Sequence, residues 1–162
     1  MEHEEPAHLF LKANGADIPG EAEQLLLGRE NSIQLKSVRF GLEASINSQN
    51  RRATGVCKFE PLVVTKLTDK STPLLAKAAC KSERIEAEVK FYRHSPEDGT
   101  IETYLIIKGE NGLIQLLEHE HGASTNGKIQ SVLIDRVGFV FEAVTWIYPV
   151  EGIEYRYAWS RR

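Results

Sequence analysis

Residues 65–75 read Thr-Lys-Leu-Thr-Asp-Lys-Ser-Thr-Pro-Leu-Leu, and within them an extended pattern ends and a helical one begins. Phe59, Leu62 and Val64 precede the stretch among β-branched neighbours, which is typical of strands. The apolar residues that follow recur at helical spacing: Leu74, Leu75, Ala78 and Ala79. The sequence therefore predicts a strand that leads directly into a helix over about residues 72–81.

The start of this helix has well-formed capping chemistry. Ser71 or Thr72 can serve as the N-cap, and Pro73 then takes the first helical position, where its missing N–H breaks no hydrogen bond. Asp69 places a negative charge near the helix N-terminus, which the helix dipole favours. We therefore expect Lys66, Asp69, Ser71, Thr72 and Pro73 to have a structural role, fixing the turn from sheet to helix.

Most of the remaining chain alternates with period two, which predicts strands. The apolar phase shifts near Ser37 and near Glu142-Ala143, so a bulge is expected at each place. Residues 109–112 (Gly-Glu-Asn-Gly) are interpreted as a turn, and residues 45–55 as a long polar loop. The pattern gives about eight strands, near residues 9–11, 33–42, 56–67, 87–91, 101–108, 113–121, 129–149 and 153–159.

Regularly spaced antiparallel strands with turn signals between them indicate a sandwich or a barrel. One helix among so many strands is expected to close an open end or to cover an edge. The 162 residues show no break in composition, so residues 1–162 are interpreted as a single domain.

Composition excludes several classes of protein. Charged residues make up 27% and hydrophobic residues 41% of the chain, and the net charge is −3. The chain has no excess of basic residues that would indicate binding to nucleic acid or to an acidic membrane surface. It also has no apolar run long enough to span a membrane. Residues 1–6 are acidic and polar, unlike a secretory signal. We expect the protein to be synthesised and assembled in the cytoplasm. Any export is expected to follow a pathway that does not depend on a signal peptide.

No metal, cofactor or catalytic site is predicted. On a strand, His119 and His121 share one face, which supplies two ligands where a site normally needs three or four. Cys57 and Cys80 are too few for a disulfide scaffold or a zinc site, and both are expected to be buried thiols. Phosphate loops, dinucleotide fingerprints and nucleophile elbows are absent from the sequence. The chain is therefore expected to act by shape and assembly rather than as an enzyme.

The motif in residues 65–75, written TK-x-x-DKSTP-x-L, resembles the Hcp (hemolysin-coregulated protein) family, the tube-forming proteins of bacterial type VI secretion systems. Further segments are similar to the family's pattern and follow in the same order: residues 10–12 with the turn at 20–21, residues 33–41, 101–107 and 137–149, and the closing Trp159. Residues 45–55 take the place of the family's extended loop, with Arg51-Arg52 in place of a glycine-rich run.

The resemblance implies a mainly β fold, an antiparallel two-sheet β-barrel of about eight strands with one flanking helix. It implies a homohexameric ring that stacks into a tube within a contractile sheath, carries a spike protein at its tip and is ejected when the sheath contracts. Small effector proteins would ride in the lumen. The printed chain ends three residues after Trp159, so no attached effector domain is expected.

The resemblance also assigns candidate functional residues. Arg39 and Ser37 are expected to face the lumen, because they alternate with the apolar Val38 and Phe40 on a strand that lines the channel in the family. The residues of the extended loop are expected to reach the adjacent ring: Ser48, Gln49, Asn50, Arg51 and Arg52.

Two other functions remain as alternatives. A tail-tube protein of a phage-like contractile injection particle would form the same rings and would be distinguished by a sheath that copurifies with it. A small-molecule-binding β-barrel would need a closed apolar cavity in the monomer. Neither nucleic-acid binding nor membrane insertion is expected.

Overall fold

The computed structural model describes residues 5–122, 124–125, 128–129 and 131–159. These residues form fourteen strands, one α-helix and a short 3-10 turn at Leu26–Gly28. The helix, α1, spans Ser71–Cys80, within one residue of the prediction at each end. The strands are β1 His8–Ala13, β2 Ala16–Ile18, β3 Ile33–Gln34, β4 Ser37–Arg39, β5 Leu42–Ile46, β6 Ala53–Phe59, β7 Leu62–Leu67, β8 Ile85–His94, β9 Ile101–His121, β10 Ser124–Thr125, β11 Lys128–Ile129, β12 Leu133–Val140, β13 Ala143–Tyr148 and β14 Ile153–Ala158.

Ten of the strands form one antiparallel sheet. Its main path runs β2-β1-β8-β9-β12-β7-β4, while β3 pairs with β1, and β13 lies between β9 and β14. Strands β5 and β6 form a separate hairpin, as do β10 and β11. The predicted mainly β, antiparallel fold with one helix is confirmed. The hydrogen-bonded path does not close into a barrel within the described residues.

Strand β9 connects two halves of the sheet. Its first part, up to Gly112, pairs with β8 and β13, and its second part, from Leu113, pairs with β12. Between them Asn111 has a positive φ of 49°. We refer to β1–β3, β8, β13, β14 and the first part of β9 as the first half-sheet. The second half-sheet comprises β4, β7, β12 and the second part of β9.

The interpretation of residues 109–112 as a turn between two strands is wrong, because β9 continues through them. The two glycines are needed there for space. A Cβ atom at Gly109 would lie 2.5 Å from ring atoms of Phe141, and one at Gly112 would also meet that ring. The glycine pair therefore lets Phe141 lie directly against the backbone where β9 passes between the half-sheets.

About eight strands were expected and fourteen are present in the described residues. The expected phase shifts mark places where the chain changes its pairing partner. Strand β3 pairs with β1, and after Leu35 and Lys36 strand β4 pairs with β7. Similarly, β12 pairs with the second part of β9 and β13 with the first part. The predicted strands 33–42 and 129–149 are therefore each divided between the half-sheets.

The expected long loop over residues 45–55 is also shorter than predicted. Strands β5 and β6 continue into it as a hairpin, with residues 47–52 at the tip. The prediction that both cysteines are buried thiols is wrong, since Cys57 on β6 is half-buried and Cys80 at the end of α1 is exposed.

Both half-sheets and the helix bury side chains in one apolar cluster. Leu9 and Val89 come from the first half-sheet, Val64 and Val137 from the second, and Leu75 from α1. All five are at most 1% exposed. Burial of each such side chain contributes roughly 1.5–3 kcal/mol to folding. This shared core fixes which faces of the strands remain available to other molecules.

We expect Gly109→Ala to destabilise the protein by about 1–3 kcal/mol, because the added methyl group overlaps Phe141 and forces the ring or the strand to move. Urea unfolding followed by tryptophan fluorescence measures the change. Gly41→Ala is the control, since its Cβ would meet a side-chain atom of Glu60 at 3.4 Å, an ordinary contact. Equal stability of the wild type and Gly109→Ala would contradict this account of β9.

Candidate functional site: a buried lysine junction and the exposed surfaces it positions

A fully buried lysine joins the second half-sheet to the helix. Lys66 on β7 is 1% exposed, and its Nζ donates hydrogen bonds to Asp135 Oδ2 on β12 and to Asp69 Oδ1, both at 2.9 Å. Nζ also donates to the backbone oxygen of Leu67 at 3.1 Å. Because the ammonium group has several oxygen acceptors, its burial is compensated.

Asp135 is the acceptor shared by the surrounding elements. Its Oδ1 accepts hydrogen bonds from Thr68 Oγ1 at 2.6 Å and pairs with His119 Nδ1 at 2.7 Å, and its Oδ2 also accepts from Thr72 Oγ1. Burial alone would raise the pKa of the carboxyl group, but the hydrogen bonds from Thr68, Thr72, Lys66 and His119 lower its pKa to about 2. Asp135 is therefore ionised in the folded protein at neutral pH.

The N-cap of α1 is Lys70, whose side chain makes no capping hydrogen bond, so the prediction of Ser71 or Thr72 as the N-cap is wrong. The side chain of Asp69, one residue earlier, binds the first backbone N–H of the helix instead. Asp69 Oδ1 accepts a hydrogen bond from the backbone N–H of Ser71 at 2.9 Å, while Thr72 Oγ1 accepts one from the N–H of Asp69 at 3.2 Å. This reciprocal pair resembles a capping box, with threonine in the place of the usual glutamate. Pro73 is the third residue of the helix rather than the first.

Asp135 and the ionic role of Lys66 were not predicted, although the sequence contains a signal for them. Lys66 shares its strand face with Leu62 and Val64, and Asp135 shares its face with Val137. A lone lysine and a lone aspartate, each in an otherwise apolar alternating set, indicate a buried ion pair between strands that pack together. Lys66 and Asp135 lie directly opposite each other on the paired strands β7 and β12.

We expect Lys66→Met to destabilise the protein by about 3–5 kcal/mol, because it leaves the Asp135 carboxylate buried without its cation. The double variant Lys66→Met/Asp135→Leu is expected to recover much of that loss, since it removes both buried charges. Lys70→Met, at an exposed neighbouring position, is the control. Chemical denaturation measures all three, and a double variant no more stable than Lys66→Met would contradict the role of the charge pair.

The outward face of the second half-sheet is open and polar. Ser37, Thr65, Arg136 and Glu118 lie side by side on four adjacent strands. Together with Arg39, Glu120 and their neighbours they line a concavity of about 640 Å³. We call this surface the polar face. It contains both residues that were expected to line a lumen.

Arg39 and Ser37 differ in how firmly they are held. The Arg39 side chain is 81% exposed and lies 3.9 Å from the Glu60 carboxylate, a weak surface pairing. The Ser37 hydroxyl shares a hydrogen bond with Thr65 Oγ1. Arg136, Glu118 and Glu120 were not predicted to belong to this surface. The paired registers of β9, β12 and β7 bring them there, and a single strand's alternation does not reveal that pairing.

The residues of the expected stacking loop form the tip of the β5–β6 hairpin. The Asn47 side chain accepts a hydrogen bond from Gln49 N, and the Asn50 side chain accepts one from Arg52 N, both at 2.9 Å. Ser48 lies between them, and Arg51 has a positive φ of 55°. Within the described residues the guanidinium groups of Arg51 and Arg52 form no ion pair. The tip thus presents two free positive charges on a backbone fixed by its own hydrogen bonds.

On the first half-sheet a loop covers the outer face of β1 and β8. Arg29 anchors this loop: it is 3% exposed, lies 5.0 Å from the centre of the Tyr92 ring and pairs with Glu5 at 2.9 Å. Beneath it His8 is fully buried, with Nδ1 at 2.9 Å from Ser32 Oγ. Because Ser32 donates its single hydroxyl hydrogen to Arg29 O, His8 Nδ1 is the donor in that contact.

Burial, followed by the positive charge of Arg29, lowers the pKa of His8 to about 4, while Glu5 opposes the shift. Between pH 6.5 and 4 the unfolded chain therefore binds a proton that the folded chain does not. The free energy of unfolding is expected to fall by about 3 kcal/mol as the pH drops through that range. Urea unfolding at pH 7 and at pH 4.5 measures the fall. His8→Gln should reduce it and His121→Gln should not, and an unchanged fall in His8→Gln would contradict the assignment.

The described residues show no group of three or more His, Cys, Asp or Glu side chains placed to hold a metal ion. His119 is directed to Asp135, and His121 lies exposed at the end of β9. Within the same part of the chain, no helix is long and apolar enough to cross a membrane.

Comparison with known proteins identifies relatives over most of the chain. The family model described as "Type VI secretion system effector, Hcp" matches residues 10–148. The "Major exported protein" of Pseudomonas aeruginosa is 28% identical over 127 residues, which cover 77% of this chain and 73% of that protein.

Solved structures share the fold. A variant of Hcp1 from the E. coli EAEC 042 pathovar is 27% identical and superimposes with a TM-score of 0.77, covering 96% of this chain and 99% of that one. The secreted protein Hcp3 from Pseudomonas aeruginosa, at 22% identity, shares the fold with a TM-score of 0.74 over 96% of this chain and 100% of that one.

Proposed function

Because this chain belongs to the Hcp family of the type VI secretion system, we propose that it forms hexameric rings which stack end to end into the inner tube of that system. The observation that carries the proposal is the match to the Hcp family over residues 10–148, which include both half-sheets and the helix. In this role the protein acts through its surfaces and catalyses no reaction.

In this proposal residues 1–162 form one tube domain, and the two half-sheets face each other as the walls of a two-sheet barrel. The shared apolar cluster supports this arrangement, since strands from both half-sheets and α1 bury side chains in it. The hydrogen bonds of Lys66 to Asp69 and Asp135 hold the start of the helix against the inner side of the second half-sheet. The outer side of that half-sheet stays free.

The polar face lines the lumen of the tube. Its support is chemical: a water-filled channel suits strands whose outward positions carry Arg39, Arg136, Glu118 and Ser37. Apart from the buried Lys66–Asp135 pair, the inward positions of β7 and β12 are apolar. Small effector proteins in the lumen would contact these side chains. The contractile sheath and a spike protein at the tip are the other proposed partners.

The tube is assembled in the cytoplasm and leaves the cell when the sheath contracts. The name of the Pseudomonas aeruginosa relative, an exported protein, supports export. Native mass spectrometry tests the assembly: a ring of six copies of the 18.2 kDa chain is expected. A strict monomer at high concentration in every condition would overturn the proposal.

We expect Arg51→Ala/Arg52→Ala to leave the ring intact and to shorten the tubes several-fold, because these exposed charges at the hairpin tip contact the adjacent ring. Negative-stain electron microscopy measures tube length, and native mass spectrometry checks the ring. Lys70→Ala/Lys81→Ala removes the same charge at exposed positions around α1 and is the control. Tube lengths equal to those of the wild type would contradict a stacking role for the hairpin.

A further inference from the structure

Three consecutive leucines are exposed in the loop that covers the first half-sheet. Leu25, Leu26 and Leu27 are 72%, 55% and 43% exposed. We call residues 20–32 the leucine loop. Exposed apolar side chains are common singly, but a contiguous group on a soluble protein marks an interaction surface.

The structure holds these leucines in their exposed position. Arg29 Nε donates to Leu26 O at 2.9 Å, and Arg29 itself is anchored between Tyr92 and Glu5. Leu27 has a φ of 62°, a left-handed conformation that is strained for a non-glycine residue. Such a conformation persists only where its surroundings determine it. The leucines are thus held in their exposed position by a loop that a buried arginine anchors.

Acidic residues flank the leucines in the sequence of the loop. Glu21, Glu23 and Glu30 are all exposed, and the one arginine of the loop, Arg29, is neutralised by Glu5. Within the described residues Glu23 and Glu30 form no ion pair, and Glu21 accepts a single hydrogen bond, from Lys70 N. The partner of this loop is therefore expected to offer apolar side chains flanked by positive charge.

The β5–β6 hairpin of the same chain has that chemistry. Ile46 and Val56, near its tip, are 61% and 55% exposed. The tip itself carries the free guanidinium groups of Arg51 and Arg52. The hairpin pairs with no other strand of the described chain, so it projects from the ten-stranded sheet as a separate element.

We propose that the hairpin tip of one copy docks on the leucine loop of another copy. The apolar side chains of the two elements pack together, while Arg51 and Arg52 face Glu23 and Glu30. Because the two surfaces are different parts of one chain, the contact is heterologous and propagates from copy to copy. The inference rests on the proposed stacking of rings and names the surface that receives the hairpin.

Cross-linking between copies tests this contact. Two proteins in a Cys57→Ser/Cys80→Ser background, one carrying Leu26→Cys and the other Asn50→Cys, are mixed under tube-forming conditions and oxidised with copper phenanthroline. A disulfide between positions 26 and 50 of different copies is expected, identified by a non-reducing gel and peptide mass spectrometry. Leu74→Cys mixed with Asn50→Cys is the control and should give no product, since position 74 lies on α1.

Charge exchange provides an independent readout. Arg51→Glu/Arg52→Glu should shorten the tubes several-fold, and adding Glu23→Arg/Glu30→Arg should restore most of their length. Tubes that form normally but give no 26–50 disulfide and no restoration would overturn the docking contact and leave the proposed function intact. Failure of the wild-type protein to form either rings or tubes would overturn the proposed function, and the docking contact with it.

Discussion

The structure depends on the buried ion pair between Lys66 and Asp135. These residues lie on adjacent strands, and Lys66 reaches Asp69 at the helix start as well, so one ammonium group joins β7, β12 and α1. Buried charges are tolerated only when they are fully paired, and here Thr68, Thr72 and His119 complete the shell around Asp135. The network therefore favours the observed position of the helix start against these two strands.

That constraint explains how the chain can leave so much surface available. With the helix fixed on one side of the second half-sheet, the other side of that half-sheet remains an open polar face containing Arg39 and Arg136. Arg29 plays a comparable part on the first half-sheet, where it holds the leucine loop over His8 and Tyr92. In both places a buried cation determines what the neighbouring surface presents to other molecules.

The sequence predicted the elements of local origin and missed those that depend on pairing. Helix α1 was located within one residue because apolar spacing and a polar start are local signals. The continuity of β9 through Gly109 and Gly112 could not be predicted, because Phe141, far away in sequence, occupies the space those glycines leave. Likewise Ser37 and Arg39 were placed on an outward face by alternation alone, whereas Arg136 and Glu118 join them through registers across three strand pairs.

This chain belongs to the Hcp family. The central proposal that follows is a stacked tube whose lumen is lined by the polar face. Electron cryo-microscopy of the assembled wild-type tube tests this claim most directly. The account predicts six copies in each ring, with Arg39 and Arg136 directed into the channel. A reconstruction in which the polar face lies on the outside of the tube, or is buried between neighbouring copies, would contradict it.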